Sequence, residues 1–496
     1  MENGFQPTAA RSLTPFVIGF ACITLTVAGL CGESAATRPR IDPGQELFTN
    51  GAVAGIRIQI AAAELDELRR DPRVFVRATL IEGSTRFDNV AVHLKGAVGS
   101  FRPIDDKPAF TLDFARFLPG RSFHGLRRIH LNNSVEDPSY CNELIGGELF
   151  RAAGIPAPRV GRAVVSLNER KLGLYVLKEG FTEDFLSCYF KQIGGNLYEP
   201  DEGHDVNQRL KKTGVEAPGG DRKALKALAK AALEIDLNQR WNRLERTLEL
   251  DRFIRFMALE VMLCHRDGYC LARNNFRVYQ DLDSGKMIFF PHGMDQLFGN
   301  ADLPWMPHMA GLVAQAVMET PQGKQLYSEN FRSLLGTLFK PETLSNRIDD
   351  SVKPLRFALS KSEFESVAAA AQLVKTRIAE RHRQLEIQLG KPPVPQLEFT
   401  NGVCLLAGWG ITDAPISGQM DQATGPDGVT CLHIRTLSEA DSSWRTRAGL
   451  KAGRYRFEGR VRVSGARPLA FGKHQGVGLR VGGQLRQSED LTGDSD

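Results

Sequence analysis

The sequence predicts an α+β protein with a β-rich lobe, a mainly helical lobe and an added C-terminal β-sandwich. Three patterns indicate this: apolar alternation between Val53 and Phe117, helical spacing from Arg222 to Cys264 and from Leu312 to Leu389, and a return to short strands after residue 396. A chain of 496 residues is too long for one compact core. The net charge of +5 is mild, and basic and acidic residues are interspersed, which argues against a nucleic-acid partner.

The N-terminal segment is typical of an export signal. Pro15–Cys31 is apolar and uncharged, and small residues follow it. We therefore expect a signal peptide over residues 1–36, a polar lead-in over 37–52, and a periplasmic, cell-surface or secreted location. An uncleaved membrane anchor is an alternative, although the segment is short for a span. A lipid anchor at Cys31 is a second alternative, which the bulky Leu30 disfavours.

The β-rich lobe is predicted over residues 53–187. Alternating runs separated by turn residues indicate antiparallel strands. One helix is expected between Asp137-Pro138, which form a start signal, and Gly154-Ile155-Pro156, which form a stop signal. Two further β-rich runs, joined at residues 168–171, predict a hairpin.

The helical lobe is predicted over residues 188–390 and includes a hairpin that turns at residues 283–285. Residues 391–396 are Pro-rich and indicate a stiff linker. The β-sandwich expected over 397–496 resembles carbohydrate-binding modules and has fewer strands than such modules usually contain, which favours an incomplete module. Cys404 and Cys431 are a candidate disulfide within it. A ligand cleft is expected between the two lobes.

Candidate site residues surround the hairpin between His265 and Gly299. Asp267 directly follows an apolar helix, Asn274 and Asn275 precede a strand, and Asp295 lies in a turn after the next strand. Carboxylate and amide oxygens in this arrangement suit a divalent cation with bound phosphates. Each residue taken alone is also typical of an ordinary turn. His265 and His292 lack zinc-ligand spacing, so we interpret both as structural.

The combination resembles the spore coat protein H (CotH) kinase family of atypical secretory kinases. The segment "DGYCLARNNFRVYQDLDSGKMIFFPHGMDQLFG" is similar to the family's aspartate, "NNyrlY" strand and "DxxFG" turn. Upstream, "HLKGAVGSF", "KPAFTLDF", "DPSYCNELIGGELFRAAGIPAPR" and "GLYVLKEGFTEDFL" resemble further family motifs in the same order. The resemblance extends from about residue 50 to about residue 390. It implies a two-lobed atypical protein-kinase-like fold, with ATP and Mg²⁺ or Mn²⁺ as cofactors.

The resemblance also implies roles for individual residues. Lys107 is expected to bind nucleotide phosphates and to be oriented by Glu143, which we prefer to Glu148 because the two do not share a helical face. Asp267 is the expected catalytic carboxylate. The residues expected to bind nucleotide are Lys107, Glu143, Glu179, Lys95, Gly96 and Ser100. Those expected to bind metal are Asp295, Asn275 and Asn274.

Two departures from the family pattern leave activity open. "HGMD" replaces the "WDxD" of many members, which leaves one acidic residue at that turn, and "GAVGS" replaces "GNSS". An exported kinase that phosphorylates protein hydroxyls, including its own, and a pseudokinase both fit. One alternative is a non-catalytic surface or matrix scaffold that binds glycan or protein through its C-terminal module. Another is a different metal-dependent phosphate enzyme. Metal-dependent ATP binding separates the scaffold from the two enzymes.

Overall fold

In the computed structural model, the residues described are 42–49, 53–201, 203–208, 210–213, 222–390, 396–424, 430–438, 440–451, 453–468, 476–481 and 488–495. The expected signal peptide and nearly all of the Pro-rich linker lie outside these ranges. Within them, every helix is too short or too polar to cross a bilayer.

Seven strands close into a barrel in the order β1-β2-β3-β4-β5-β7-β6. All neighbours are antiparallel except β1 and β6, which are parallel. The elements of this part are α1 (Gln45–Thr49), β1 (Val53–Ile60), α2 (Ala62–Arg70), β2 (Val76–Glu82), β3 (Thr85–Lys95), β4 (Ala109–Asp113), β5 (Arg128–Asn132), α3 (Asn142–Ala152), β6 (Val160–Leu167) and β7 (Arg170–Glu179). The alternating runs and the hairpin are confirmed as strands, whereas closure of the sheet was not predicted.

Alternation along the strands gives the barrel an apolar interior and a polar outer wall. Leu94, Leu112, Leu131 and Leu177 lie in the buried barrel core. Because side chains alternate across a sheet, the residues between them point the other way. Strand pairing places these outward residues side by side, and we call the set the polar wall: His93, Lys95, Thr111, His130, Asn132 and Lys178.

The helical part has its own hydrophobic core and a four-stranded sheet in the order β11-β10-β8-β9. Its elements are α4 (Glu183–Tyr189), β8 (Leu197–Glu199), β9 (Lys211–Thr213), α5 (Lys223–Ala232), α6 (Leu237–Thr247), α7 (Leu250–Met262), α8 (Tyr269–Ala272), β10 (Phe276–Gln280), β11 (Met287–Pro291), α9 (Leu312–Glu319), α10 (Pro321–Thr337), α11 (Pro341–Val352), a 3₁₀ helix (Lys353–Phe357) and α12 (Lys361–Gly390). The predicted helical stretches and the second hairpin are confirmed.

Helix α3 packs with the helical part, although it lies between barrel strands in the sequence. Its apolar residues Ile145, Leu149 and Phe150 belong to the helical core. Phe150 packs against Phe256 of α7 with ring centroids 5.8 Å apart. Leu144 of the same helix packs against Val160 of β6 and Val176 of β7, so α3 lies between the barrel and the helical core.

The C-terminal sandwich is not confirmed. In the described part of this region, the strands β12 (Gly410–Asp413), β13 (Gly418–Thr424), β14 (Thr430–Thr436), β15 (Ser443–Arg445), β16 (Val463–Ala466) and β17 (Gly493–Ser495) form three separate two-stranded sheets. Among the described residues after Gln396, Val463 is the one buried hydrophobic side chain. No disulfide joins Cys404 to Cys431, so the candidate disulfide is not formed.

Candidate active site

A buried ion pair joins the polar wall of the barrel to α3. Lys178 Nζ donates to Glu143 Oε2 at 2.6 Å, and the side chain of Lys178 is 0% exposed. Lys178 lies near the end of β7, and Glu143 lies in the first turn of α3. The same ammonium lies 3.3 Å from His292 Nδ1 in the segment after β11. The pair therefore connects the barrel to residues held by the helical core.

A second lysine of the polar wall lies beside this pair. Lys95 Nζ donates to Asn132 Oδ1 at 2.7 Å. The amide of Asn132 in turn lies 3.5 Å from Glu143 Oε1. Burial lowers the pKa of Lys95 to about 8, and the nearby charge of Lys178 contributes in the same direction. Two lysine ammonium groups thus converge near one glutamate, which is a suitable environment for an anionic ligand.

The expected contact between Lys107 and Glu143 is not formed, so the prediction that Glu143 orients Lys107 is wrong. Lys107 Nζ donates to Tyr140 Oη at 2.7 Å and lies over the rings of Tyr140 and Tyr175. Burial lowers the pKa of Lys107 to about 8. The alternative glutamate, Glu148, forms an ion pair with Arg347 of α11. Of the two glutamates considered, Glu143 is the one that pairs with a lysine, and that lysine is Lys178 instead of Lys107.

The side chain of Glu179 does not face the polar wall. As the neighbour of Lys178 on β7, it points to the opposite face of the sheet. There its carboxylate accepts from Arg159 Nη2 at 2.6 Å and from Arg159 Nε at 3.1 Å. Burial raises the pKa of this carboxyl, and Arg159 opposes the rise. Any contact of this residue with a nucleotide would therefore involve its backbone.

The loop after β3 turns tightly at Gly96. Its φ of 107° favours glycine, and a Cβ at this position would lie 2.9 Å from Cα of Phe101. Ser100 Oγ accepts from the backbone N–H of Ala97 at 3.2 Å, which closes the loop. Gly96 and Ser100 therefore shape the loop that immediately follows Lys95.

The structure brings Asp267, Asn274 and Asn275 together. Asp267 Oδ2 accepts from Asn275 Nδ2 at 2.6 Å and from Asn274 Nδ2 at 3.1 Å. The hairpin β10–β11 then returns the chain to this point, because the backbone N–H of His292 donates to the carbonyl of Asn275. At Gly293, a Cβ would lie 2.3 Å from Asn275 Oδ1, so this approach requires glycine.

Asp295 lies on the next turn and shares the electrostatic environment of the polar wall. Burial raises its pKa to about 6, and the charge of Glu143 contributes to the rise, while Lys178 and Lys95 oppose it. Its backbone carbonyl accepts from Asn142 Nδ2 at 2.7 Å, next to Glu143 on α3. Asp295 is therefore held against α3 by its backbone, and its carboxylate lies in the field of Glu143, Lys178 and Lys95.

The available donors are hard oxygen atoms, which suit Mg²⁺ or Mn²⁺. They are the carboxylates of Asp267 and Asp295 and the side-chain oxygens of Asn274 and Asn275. In the part of the chain that the structure describes, no group of three or more His, Cys, Asp or Glu residues could hold a metal by itself. A cation held by these oxygen atoms would need phosphate oxygens and water to complete its coordination.

Sequence reasoning missed Lys178, Asn132 and His130, which lie on the polar wall. Thr111 Oγ1 and His130 Nδ1 are 3.0 Å apart on the polar wall. Burial, together with the charges of Lys95 and Arg128, lowers the pKa of His130 well below its usual value. The available signal was Lys178 itself, since a lysine that ends the apolar run "LYVL" is unusual within a buried strand.

A barrel wall with a buried lysine–glutamate pair, facing a carboxylate–amide hairpin, is the arrangement of a kinase-like protein. The family model described as CotH kinase protein matches residues 92–386. The chain belongs to this family, as its sequence motifs predicted.

Two named relatives are distant in sequence. Invasin CotH2 of Rhizopus delemar is 24% identical over 296 residues, which cover 53% of this chain and 49% of the relative. Inner spore coat protein H of Bacillus subtilis is 22% identical over 253 residues, 47% of this chain and 68% of the relative. The chain thus spans about half the length of the first of these relatives.

Two solved kinase structures show only weak overall similarity. The Helicobacter pylori proinflammatory kinase CtkA has a TM-score of 0.28 and 9% identity, and the match covers 59% of this chain and 96% of that one. A Golgi casein kinase with Mn/ADP bound has a TM-score of 0.27 and 10% identity, with 69% and 77% covered. At these scores, the assignment depends on the family match alone.

Proposed function

We propose that this protein is an ATP-dependent protein kinase that transfers the γ-phosphoryl group to a protein hydroxyl, with serine and threonine as the expected acceptors. The observation that carries the proposal is the buried Lys178–Glu143 pair, whose charges also act on the Asp295 carboxylate. A buried ion pair seldom stabilises a fold more than apolar residues of the same size would. Its position beside a carboxylate with a raised pKa instead favours a functional role.

The barrel side of the site would bind the nucleotide. Lys178 is held by Glu143, so its ammonium is already positioned for phosphate oxygens. Lys95 would contact the same phosphates from β3, which β4 and β5 separate from β7. The loop containing Gly96 and Ser100 would cover them through its backbone N–H groups. Lys107 has no role in this proposal because it lies with Tyr140 and Tyr175.

The helical side of the site would bind the metal and the acceptor. Asp295 and Asn275, with Asn274 nearby, would hold Mg²⁺ or Mn²⁺, which supplies neutralisation of phosphate charge when bound. Asp267 would accept the proton of the acceptor hydroxyl. The hydroxyl oxygen would bond to the γ-phosphorus as the bond between the γ-phosphorus and the bridging oxygen of the β-phosphate breaks, which releases ADP. Donation by the two asparagine amides orients the Asp267 carboxylate for this step.

An exported location remains part of the proposal. The relatives are named as spore coat proteins and invasins, which supports a coat or surface location. The acceptor would then be another coat or surface protein, or the chain itself. A glycan ligand for the C-terminal region and a membrane anchor stay predictions from the sequence alone.

The test is incubation of the full chain with γ-labelled ATP and Mg²⁺ or Mn²⁺, beside Asp267→Asn and Asp295→Asn. Asp350→Asn is the matched control, since Asp350 is exposed and pairs with Lys353. We expect labelled protein with the native chain and the control and none with the two site variants. Nucleotide turnover without labelled protein would instead indicate a different phosphate enzyme. Absence of both label and metal-dependent ATP binding would support the scaffold alternative.

A further inference from the structure

His265 is completely buried at the end of the segment that leads from α7 to Asp267. Its Nε2 lies 3.0 Å from the backbone carbonyl oxygen of Gly293, in the turn that leads to Asp295. A carbonyl oxygen only accepts hydrogen bonds, so Nε2 must carry the proton. One side chain therefore links the two turns on which the proposed metal and catalytic carboxylates lie.

The opposite edge of the ring faces the buried carboxylate of Glu260. His265 Nδ1 lies 3.4 Å from Glu260 Oε1. Glu260 also accepts from the backbone N–H groups of Tyr269 at 3.1 Å and Cys270 at 2.7 Å. These N–H groups begin α8, two residues after Asp267. Helix α7 and the turn at Asp267 are thus fixed relative to each other, and the imidazole ring lies beside them.

Close packing leaves little freedom at either turn. A Cβ at Gly268 would lie 2.6 Å from both Glu260 Oε1 and His265 Nδ1. Gly293 is packed still more closely, since a Cβ there would lie 2.3 Å from Asn275 Oδ1. A second backbone link runs between the same segments, because Phe298 N–H donates to the carbonyl of Leu263 at 2.8 Å. A shift of the Gly293 turn would therefore change the position of Asp295 relative to Asp267.

We propose that His265 is a positioning residue that fixes the turn carrying Asp295 against the turn carrying Asp267 and so sets the separation of the two carboxylates. This inference rests on the proposed function and assigns a specific role to a histidine that the sequence indicated only as structural. A purely space-filling core residue would not need a donor aimed at Gly293. The position of the Gly293 turn depends on the hydrogen bond from His265 Nε2 and does not depend on the volume of the ring.

Two substitutions separate the two edges of the ring. In His265→Gln, the amide nitrogen reaches the former position of Nε2 and retains the bond to Gly293 while losing the approach to Glu260. In His265→Asn, the shorter amide corresponds to Nδ1, so it stays near Glu260 and falls short of Gly293. His382→Phe is the control, since His382 stacks on Phe339 and contacts neither turn.

The first measurement is amide hydrogen exchange of the full chain, which does not depend on catalysis. We expect His265→Asn to accelerate exchange around residues 292–298 by about ten-fold, the factor that corresponds to ~1.4 kcal/mol, close to the value of one hydrogen bond. His265→Gln and the control should exchange at the native rate there. If Gln accelerates exchange as much as Asn does, or if Asn leaves it unchanged, His265 does not position this turn.

The second measurement is Mn²⁺-dependent binding of a non-hydrolysable ATP analogue. We expect His265→Asn to raise the Mn²⁺ concentration for half-maximal binding about ten-fold, with native behaviour in His265→Gln. Faster exchange with unchanged Mn²⁺ dependence would refute the role in setting the carboxylate separation. If the native chain binds no Mn²⁺–nucleotide, the proposed function fails, and the exchange experiment still decides whether His265 positions the turn.

Discussion

Asp295→Asn should stabilise the metal-free protein at pH 8 while it abolishes phosphoryl transfer. Burial and the charge of Glu143 raise the pKa of Asp295 from 3.8 to about 6. The difference is about two pH units, and each unit corresponds to ~1.36 kcal/mol, so the ionised carboxylate costs ~3 kcal/mol above pH 6. Asparagine has the same shape without the charge. We therefore expect a gain of up to ~3 kcal/mol in unfolding free energy at pH 8.

The sign of the pH dependence follows from the raised pKa. Between pH 3.8 and about 6, Asp295 is protonated in the folded protein and ionised in the unfolded chain. Its stabilising contribution is complete below the unfolded pKa and is lost as the pH rises through the folded pKa. The advantage of Asp295→Asn should thus be present at pH 8 and should vanish at about pH 4 and below.

The assay is thermal unfolding of the native chain, Asp295→Asn and the surface control Asp350→Asn in EDTA at a series of pH values. Only Asp295→Asn should melt at a higher temperature than the native chain, and only at the upper pH values. If Asp295→Asn lowers the melting temperature at pH 8, or if its effect is the same at every pH, Asp295 does not carry an uncompensated charge, and the electrostatic account of the site is wrong.

Three further predictions concern the proposed phosphate lysine and two structural contacts. Lys178→Met should abolish labelling and destabilise the fold by ~3 to 5 kcal/mol because Glu143 is left buried and unpaired. Lys107→Met should retain labelling. Labelling and thermal unfolding of both variants check this, and an equal loss of labelling in both would contradict it. Arg381→Met should lower the melting temperature strongly, because its buried guanidinium donates to four backbone carbonyls that would lose their donors; a native melting temperature would refute this. Hydrogen bonds to two glutamates raise the pKa of His124 against the opposing effect of burial, so its contribution to stability is complete below pH 6.5 and is lost as the pH rises through the folded pKa. His124→Gln should accordingly lower the melting temperature more at pH 6 than at pH 9, and a pH-independent effect would argue against this contribution.

The hairpin half of the site was predictable because its geometry is local. The strand pairing Phe276↔Pro291 follows from a short turn between two apolar runs. That pairing places Asn275 beside His292 and Gly293 without help from the rest of the chain. The proximity of Asp267 to Asn275 likewise depends on only a few intervening residues. The roles of these residues remain predictions, but the sequence was sufficient to predict that they lie close together.

The pairing of Glu143 with Lys178 was not predictable from the sequence. Three lysines precede or follow α3, and their surroundings are chemically similar. Lys95, Lys107 and Lys178 all lie in or beside strands of one barrel. The closure of that barrel decides which ammonium groups face α3, and closure involves strands far apart in sequence. The prediction of a C-terminal sandwich was not confirmed for a related reason. An alternating pattern predicts strands and sheets, but it does not predict whether the sheets stack.

The sequence by itself determined the family, most of the strands and helices and the carboxylate–amide hairpin, because each depends on residue identity or on contacts between near neighbours. Helix α2, between the first two strands, was not predicted. Only the tertiary structure decided that α3 packs with the helical core and that Glu143 pairs with Lys178. The same holds for the contact of His265 with Gly293. These contacts join segments that are distant in the sequence, and the pattern of apolar residues describes each segment by itself. The packing of two separate cores brings these segments within hydrogen-bonding distance.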